Sequence, residues 1–423
     1  MQFFLAFSQK TCYTVFDLPP PIQCPVFEQN EVYQMKILIT TDLHLPSVNG
    51  VVTSYLCLVS GLIAKGHDVR VLTLSPNRRT YVEDNTYYIG SFGAEFIYPG
   101  IRARRLLPHP KIVKAIKEWA PDVIHAQCEF NSFHYAKTLA KKLGIPLLLT
   151  AHTVYEDYFQ YMFRCKAPAK VMVSWFSRFI GRRVDTIIAP TEKTKALMES
   201  YRVKNKIAVI PTGLELKELT VPVSDEEVVA LKAKLGIPES AKVMLSLGRV
   251  AEEKNIPELF SLLKQPALED AILLIVGDGP YRAKLEKMVA EKPYAHRVIF
   301  AGMIPHVDIA PYYRLGDVFV NASHSETQGL TFIESMAFGV PVVCMKDPCV
   351  EGVVMNGDTG YACENHEEMV EAVAKVLTDK DLHSHLAEQG KALVERRFTK
   401  EAFADAVEQE YLSAIPETRY KKK

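Results

Sequence analysis

The chain alternates short, β-branched apolar runs with amphipathic helical stretches over most of its length. The first apolar run is KILIT at 36–40, and DVRVLTL at 68–74 is the second. Between them, apolar residues recur at helical spacing, namely Val52, Tyr55, Leu56, Val59 and Leu62. Gly66 ends this helical pattern. Because a helix between two strands returns the chain to the starting edge of the sheet, the alternation predicts parallel sheets covered by helices.

A charged, proline-containing stretch, VPVSDEEVVALKAKLGIPES at 221–240, divides the alternation into two blocks. The pattern restarts with KVMLSLG at 242–248. The predicted fold class is therefore α/β, with two Rossmann-like, doubly wound parallel-sheet domains that face a central cleft. The expected segments are an N-terminal extension at 1–34, a first domain at 35–214, a linker at 215–240, a second domain at 241–400, and a C-terminal helix at 401–423 that returns toward the first domain and ends in a basic tail.

The charge of the chain is balanced in total and uneven along its length. There are 50 Lys and Arg residues and 50 Asp and Glu residues, so the formal net charge is zero. Up to Ile210 the chain has 26 basic and 16 acidic residues, and after it 24 basic and 34 acidic residues. A neutral total removes the simplest argument for binding to nucleic acid or to a membrane surface, namely uniform basicity. The first part, at +10, favours contact with an anionic surface, although a drift in surface composition between domains would give the same count.

The eight cysteines are scattered without a Cys-x-x-Cys pair, as is typical of reduced thiols in a cytosolic enzyme. No apolar run reaches the ~18 residues that a membrane-spanning helix needs. The opening MQFFLAFSQK has no basic leader, so we expect no signal peptide.

Two carboxylates border a predicted loop-to-helix junction in the second block. Glu326 lies in the loop after an apolar run, and Glu334 lies one turn inside a predicted helix at 330–338. The start of that helix offers free backbone N–H groups, which stabilise a diphosphate. Two surface carboxylates beside an ordinary loop are the alternative interpretation.

A second cluster follows the strand predicted at 242–248. Arg249 and Lys254 supply a guanidinium and an ammonium near a strand end, a pair suited to phosphate oxygens. Another predicted strand runs into a Gly-Asp-Gly-Pro turn at 277–280. This turn lacks the third glycine of the dinucleotide fingerprint, and no Gly-Lys-Ser/Thr phosphate loop occurs.

In the first block, Asn49-Gly50 precedes a predicted helix, and this dipeptide favours a left-handed turn. His152 follows a buried strand, where a histidine is more often structural than catalytic.

The stretch YMFRCKAPAKVMVSWFSRFIGRR at 161–183 combines aromatic and cationic residues and contains no acidic residue. It fits a helix that lies in a membrane interface. The alternative is a helix packed on the first domain with solvated cations.

Together these residues resemble the donor site of the retaining glycosyltransferases of family 4, which have the two-domain GT-B fold. The resemblance runs from Met35 to about Ile415. It rests on Arg249 with Lys254, on Val-Gly-Asp-Gly-Pro at 276–280, and on Glu326 and Glu334 around Gly329. Within the family, the segments PSVNGVVTS, HAQCEF and TAHTVYEDYFQYM resemble the bacterial 1,2-diacylglycerol 3-glucosyltransferases. The chain differs from many members at Asn49, where they have glycine, and at Thr327-Gln328, where an aromatic residue often precedes the glycine.

The resemblance implies a role for each matching residue. His152, Arg249, Lys254 and Glu326 would be catalytic, with the two cations neutralising the leaving diphosphate in place of a metal ion. Glu334 would bind the ribose hydroxyls. The other donor-binding residues would be Gly50, Asp278, Gly302, Met303, Ile304, Gly329, Leu330 and Thr331. The acceptor and membrane residues would be Asn49, Tyr155, Glu156, Asp157, Trp175, Phe176, Arg178, Arg182 and Arg183.

The resemblance implies a retaining, metal-independent hexosyltransferase that transfers glucose from UDP-glucose to the 3-hydroxyl of 1,2-diacylglycerol. It would act as a peripheral protein on an anionic cytoplasmic membrane face, without a cofactor. Attack from the leaving-group face, assisted by the departing phosphate, would retain the anomeric configuration. The open alternatives are another donor or acceptor, such as phosphatidylinositol, a glycolipid or a polyol, and a catalytically dead sugar-nucleotide-binding protein. A glycosidase pair at Glu326 and Glu334 is disfavoured, because a glycosidase needs no phosphate clamp.

Overall fold

The computed structural model describes residues 33–45, 49–93, 102–104, 109–153, 166–323 and 325–416. The predicted N-terminal extension lies outside these residues up to position 32, and the basic tail lies outside them from position 417. The exact domain boundaries stay a prediction.

The first half of the described chain forms a sheet of eight strands. Its elements are β1 (Lys36–Thr40), α1 (Gly50–Ala64), β2 (Asp68–Leu74), β3 (Tyr81–Glu83), β4 (Thr86–Ile89), β5 (Ser91–Gly93), β6 (Arg102–Arg104), α2 (Pro110–Trp119), β7 (Val123–Ala126), α3 (Asn131–Leu143), β8 (Leu147–Thr150), α4 (Lys166–Gly181), β9 (Thr186–Ala189), α5 (Glu192–Ser200) and β10 (Lys206–Val209). The strand order is β10-β9-β8-β7-β1-β2-β4-β3. All neighbours are parallel except the β3–β4 pair, and β5 and β6 form a separate antiparallel ribbon.

The second half forms a six-stranded sheet that is parallel throughout. Its elements are α6 (Leu216–Leu219), α7 (Asp225–Lys234), β11 (Lys242–Leu247), α8 (Ile256–Leu262), β12 (Ala271–Val276), α9 (Arg282–Val289), β13 (Val298–Gly302), α10 (Ala310–Leu315), β14 (Val318–Asn321), α11 (Leu330–Ala337), β15 (Val342–Met345), β16 (Gly360–Cys363), α12 (His366–Thr378), α13 (Lys380–Arg397) and α14 (Lys400–Ala414). The strand order is β13-β12-β11-β14-β15-β16. The prediction of two parallel-sheet α/β domains is confirmed.

The apolar runs form strands because both faces of each sheet are covered. Every residue of β12 is buried, and the same holds for β7, β8, β9 and β14. In a strand that is buried on both faces, the side chains of both faces are apolar, so the sequence is a continuous apolar run. The hydrophobic core of the first half lies under α2, α3 and α4, and two further cores flank the second sheet.

The predicted linker contains two helices. Ser224 and Glu227 form a reciprocal capping box at the start of α7, which satisfies two otherwise free N–H groups. Leu219 and Leu231 are buried in a core of the second half. This part of the chain therefore packs against the second sheet.

The C-terminal helix α14 packs on α1 of the first half. A Cβ built on Gly61 would lie 2.7 Å from Cβ of Ala404, so glycine at position 61 permits the close approach. The contact also has polar bonds. The Lys65 ammonium lies 2.8 Å from Glu408, and the Tyr411 hydroxyl is 2.7 Å from Nδ1 of His125. The last helix thus joins the second half back to the first.

In each sheet the strand order reverses near the middle, because the chain adds strands first on one side of the initial strand and then on the other. These reversals position the site. In the first sheet the reversal lies between β1 and β7, and in the second it lies between β11 and β14. In an open parallel sheet, the loops that follow the two strands at a reversal diverge and leave a crevice. Among the predicted site residues, Asn49 follows β1, Arg249 and Lys254 follow β11, and Glu326 follows β14.

The left-handed turn predicted at Asn49-Gly50 is wrong. Asn49 has an extended backbone, with φ −160° and ψ 169°, and Gly50 is the first residue of α1. The Asn49 side chain accepts hydrogen bonds from the N–H groups of Val51 and Val52, both at 3.1 Å. Asparagine acts here as a helix N-cap, and the N-cap position requires an extended backbone.

Candidate active site

An ion pair joins the loops that follow β11 and β14. The Lys254 ammonium lies 2.6 Å from Oε1 of Glu326, and both side chains are largely buried. Lys254 ends a short 3₁₀ turn, and Asn255 follows with a left-handed φ of 48°. The two residues meet because β11 and β14 are neighbours at the reversal of strand order. The structure therefore brings two of the four predicted catalytic residues together.

Arg249 is the first residue after Gly248 at the end of β11 and its guanidinium is partly exposed. It donates a hydrogen bond to Glu253 within the same loop. Both cations of the predicted phosphate clamp thus have carboxylate partners here. An entering diphosphate would compete with these carboxylates for the cations.

The Gly-Asp-Gly-Pro turn packs directly against the Arg249 loop. A Cβ on Gly277 would lie 1.9 Å from the carbonyl oxygen of Gly248, and one on Gly279 would lie 2.3 Å from that of Val250. Only glycine fits where two backbones approach this closely. The Asp278 carboxylate accepts hydrogen bonds from the N–H of Gly279 at 2.7 Å and from Arg282 at 3.0 Å. The turn therefore supports the position of Arg249.

Glu334 lies on α11 and is buried at 6% exposure. Its Oε2 accepts a hydrogen bond of 2.6 Å from the Tyr313 hydroxyl. Burial, with the nearby Glu334 carboxylate, holds the pKa of Tyr313 well above its usual value, so the hydroxyl remains a donor. Nε2 of His306 is 3.8 Å from the other oxygen, and the Glu334 carboxylate raises the pKa of His306.

The start of α11 faces the start of α1 across the two halves. A Cβ on Gly50 would lie 3.9 Å from Cδ1 of Leu330. Gly329 precedes α11 with a left-handed φ of 71°, and a Cβ there would meet the Phe332 ring at 2.5 Å. Glycine is therefore required at 329, and Thr331 follows in the first turn of the helix. The structure places Gly50, Gly329, Leu330 and Thr331 together.

The predicted donor-binding residues Gly302, Met303 and Ile304 lie at the end of β13 and directly after it. Gly302 has a left-handed φ of 78° and ends the strand. Met303 is 76% exposed, whereas Ile304 packs against a core of the second half.

His152 follows β8 and forms a hydrogen bond with Gln127, which was not among the predicted site residues. Its Nε2 lies 2.8 Å from Oε1 of Gln127, which follows β7. Burial lowers the pKa of His152 to about 4. His152 is therefore neutral near pH 7. Gln127 occurs in the quoted segment HAQCEF, and its place just after a strand beside the reversal was the signal that could have identified it.

The acceptor and membrane residues fall into three groups. Tyr155, Glu156 and Asp157 lie outside the described residues. Asn49 caps α1, as described above. The remaining five lie on α4 or directly after it, namely Trp175, Phe176, Arg178, Arg182 and Arg183.

Helix α4 has one face in the core and one in solvent. Val173 and Ile180 are buried in the core of the first half, whereas Val171 and Trp175 are 70% and 59% exposed. The Trp175 ring stacks on Phe179, and Phe176 stacks on Phe130 at the start of α3. The helix thus both packs on the domain and presents apolar side chains outward.

Within the described ranges, no helix is long and apolar enough to cross a membrane. The same residues contain no group of three or more His, Cys, Asp and Glu side chains placed to hold a metal ion.

Comparison with known proteins identifies the family. Residues 48–218 match Glycosyltransferase Family 4, and residues 229–393 match Glycosyl transferases group 1. The alpha-monoglucosyldiacylglycerol synthase of Streptococcus pneumoniae is 32% identical over 404 residues, which are 92% of this chain and 88% of that protein. The chain belongs to the family 4 glycosyltransferases. A synthase of the same name from Acholeplasma laidlawii is 29% identical to this glycosyltransferase over 92% of this chain and 99% of that protein.

Solved structures agree with this glycosyltransferase in fold. The crystal structure of Anabaena HepE in complex with UDP and glucose has a TM-score of 0.68 at 17% identity, and covers 90% of this chain and 100% of that one. Sucrose-phosphate synthase from Thermosynechococcus elongatus has a TM-score of 0.69 at 24% identity, with 90% and 99% covered. The predicted GT-B fold and the prediction of a hexosyltransferase are confirmed.

Proposed function

We propose that this glycosyltransferase transfers glucose from UDP-glucose to the 3-hydroxyl of 1,2-diacylglycerol, with retention of the anomeric configuration. The observation that carries the proposal is the 32% identity, across 92% of the chain, to a protein named alpha-monoglucosyldiacylglycerol synthase. The same name belongs to the second relative, which matches over 99% of its own length. The similarity therefore spans both the donor half and the acceptor half.

The geometry of the second half supports a nucleotide-sugar donor. Lys254 and Arg249 lie at the reversal of strand order, where a diphosphate would meet two cations and the N-terminus of α11. Glu334 retains one oxygen, Oε1, that the Tyr313 hydroxyl does not occupy, and this oxygen would accept the ribose hydroxyls. Glu326 would hold the sugar hydroxyls while its ion pair with Lys254 fixes the carboxylate.

Charge stabilisation by side chains would serve the reaction without a metal ion. As the glycosidic bond breaks, negative charge grows on the diphosphate, and fixed cations stabilise it without reorganisation. The departing phosphate would then remove the proton of the attacking hydroxyl on the same face of the sugar. His152, with a lowered pKa of about 4, would contribute a neutral polar group rather than a charge.

The exposed face of α4 supports a membrane-bound acceptor. Val171 and Trp175 present apolar surface, and Arg178, Arg182 and Arg183 follow within the next turns. Aromatic rings next to cations favour the headgroup region of an anionic bilayer. In this proposal the first half contacts the cytoplasmic face of the membrane, from which diacylglycerol is taken.

The proposal is tested with a panel of nucleotide sugars and acceptors, read by mass spectrometry. The panel contains UDP-glucose, UDP-galactose and GDP-mannose as donors, and diacylglycerol, phosphatidylinositol, a glycolipid and a polyol as acceptors. The expected product is one hexose on diacylglycerol, formed from UDP-glucose. A product on another acceptor but not on diacylglycerol would show that the proposed acceptor is wrong. Binding of a nucleotide sugar without any product would indicate a catalytically dead protein.

A further inference from the structure

A lysine of the first half reaches the backbone of the predicted sugar-binding loop. Lys193 lies on α5, and its ammonium donates a hydrogen bond of 2.9 Å to the main-chain carbonyl of Glu326. Beside it, the Thr191 hydroxyl donates to the carbonyl of Thr327, also at 2.9 Å. Two successive carbonyls of a second-half loop are therefore held by first-half side chains.

The next loop residue is held in the same way. The Gln328 amide accepts from the N–H of Thr212 at 2.9 Å and donates to its carbonyl at 3.0 Å. Gln328 is 6% exposed, so both bonds are shielded from water. Residues 326–328 thus bind the first half through three consecutive positions.

An ion pair fixes the orientation of Lys193. Its ammonium lies 2.8 and 2.7 Å from the two oxygens of Asp347, which is 6% exposed. Asp347 also accepts a hydrogen bond of 2.8 Å from the N–H of Cys349, so the carboxylate cannot turn freely. Removal of only one partner of such a pair leaves an uncompensated buried charge.

Glu326 is consequently held from two sides. Lys254 of the second half binds its carboxylate, and Lys193 of the first half binds its carbonyl. A displacement of the first half would move the Glu326 backbone and, with it, the carboxylate. Glu334 has a separate support, because its partner Tyr313 belongs to the second half.

We propose that Lys193 is a positioning residue that couples sugar binding to the contact between the two halves. It sets the position of Glu326 toward the donor sugar, whereas Glu334 is held by Tyr313 of the second half and is unaffected. This inference rests on the proposed function, in which Glu326 holds the sugar hydroxyls and Glu334 the ribose.

The test compares the affinities of UDP and UDP-glucose by calorimetry in the full chain. The main variant is Lys193→Met combined with Asp347→Asn, which removes the carbonyl contact without leaving a buried charge. The matched control is Lys195→Met, on the same helix, where Lys195 pairs locally with Glu192 at 3.6 Å. We expect the main variant to bind UDP within about twofold of the wild type and UDP-glucose about tenfold more weakly. The control should bind both ligands as the wild type does.

Equal weakening of UDP and UDP-glucose, or no weakening of either, would overturn the role of Lys193. If the double variant does not fold, Lys193→Gln combined with Asp347→Asn replaces it. Glutamine is one atom shorter than lysine and carries no charge, so it withdraws the donor from the Glu326 carbonyl and leaves no buried charge; UDP-glucose binding should fall and UDP binding should not. Unchanged UDP-glucose binding in that variant would overturn the inference. A wild type that binds neither ligand would contradict the proposed function, and the inference with it.

Discussion

The Lys254 ammonium lies 2.6 Å from the Glu326 carboxylate, although the two residues are 72 positions apart in the sequence. The parallel pairing of β11 with β14 brings their loops to the same edge of the sheet. Each side chain is fixed by the other before a ligand binds. In an enzyme that must stabilise a leaving diphosphate, such fixed charge is the largest expected contribution to catalysis.

Replacement of Lys254 by Met should lower kcat/KM by about 100- to 1,000-fold, because one of the cations facing the leaving group is lost. Glu326→Gln should lower it as well, since the sugar would lose its carboxylate partner. Steady-state kinetics with circular dichroism would measure both effects. The matched control is Lys284→Met, a lysine 62% exposed on α9. Folded variants with unchanged turnover would discard the site assignment.

The bond from Tyr313 to Glu334 predicts a ribose-specific effect. Tyr313→Phe keeps the ring that stacks on Phe338 at 4.9 Å and removes only the hydroxyl. We expect UDP to bind about three- to tenfold more weakly, because Glu334 loses the donor that orients it. Affinity for 2′-deoxy-UDP should change less, since that ligand lacks one of the hydroxyls concerned. Equal losses for both nucleotides would contradict ribose binding by Glu334.

The exposed face of α4 predicts salt-sensitive binding to anionic vesicles. The protein should sediment with vesicles that contain phosphatidylglycerol, and salt should release it. Trp175→Ser should weaken binding about fivefold, because an exposed aromatic anchor is lost. Val229→Ser, at a valine 48% exposed on α7, is the control and should have no effect. Vesicle binding that does not depend on lipid charge would contradict the assignment of α4 to an anionic membrane surface.

The buried His125 predicts a loss of stability in acid. Burial, with a smaller effect of His152, lowers the pKa of His125 from 6.5 to about 3. Below pH 6.5 the unfolded chain therefore takes up a proton that the folded chain does not, so stability falls as the pH falls. Between pH 7.5 and pH 5 this amounts to about 2 kcal/mol.

Urea unfolding at the two pH values would measure this loss. In His125→Gln the same change of pH should cost about 2 kcal/mol less than in the wild type, because the titrating group is absent. Equal losses in the two proteins would show that His125 does not titrate on unfolding.

The sequence predicts the buried parallel strands well, because continuous apolar runs such as AILLIV leave little choice of structure. It did not identify β16, GYAC, which is short, begins with glycine and lies at the sheet edge. The antiparallel β3 and the β5–β6 ribbon were missed for a similar reason, since three-residue strands have no measurable periodicity.

The candidate site was predictable where residues lie next to strand ends, as with Lys254 and Glu326. Contacts between the halves were not predictable. Nothing in the sequence around Lys193 indicates that it pairs with Asp347, because the pairing depends on how two separate sheets are placed. The dipeptide Asn49-Gly50 is compatible with a left-handed turn and also with a helix N-cap followed by the first helical residue. The sequence does not distinguish the two, and the backbone angles of Asn49 show that it is the N-cap.

The proposed function is tested most directly by the structure of the product formed from UDP-glucose and diacylglycerol. Proton NMR of the purified lipid reports both the position of the glucose and the configuration of its anomeric carbon. We predict a single glucose linked in the α configuration to the 3-hydroxyl. A β-linked glucose would contradict retention, and the absence of a glucosylated diacylglycerol from an enzyme that is active on another acceptor would contradict the proposed function.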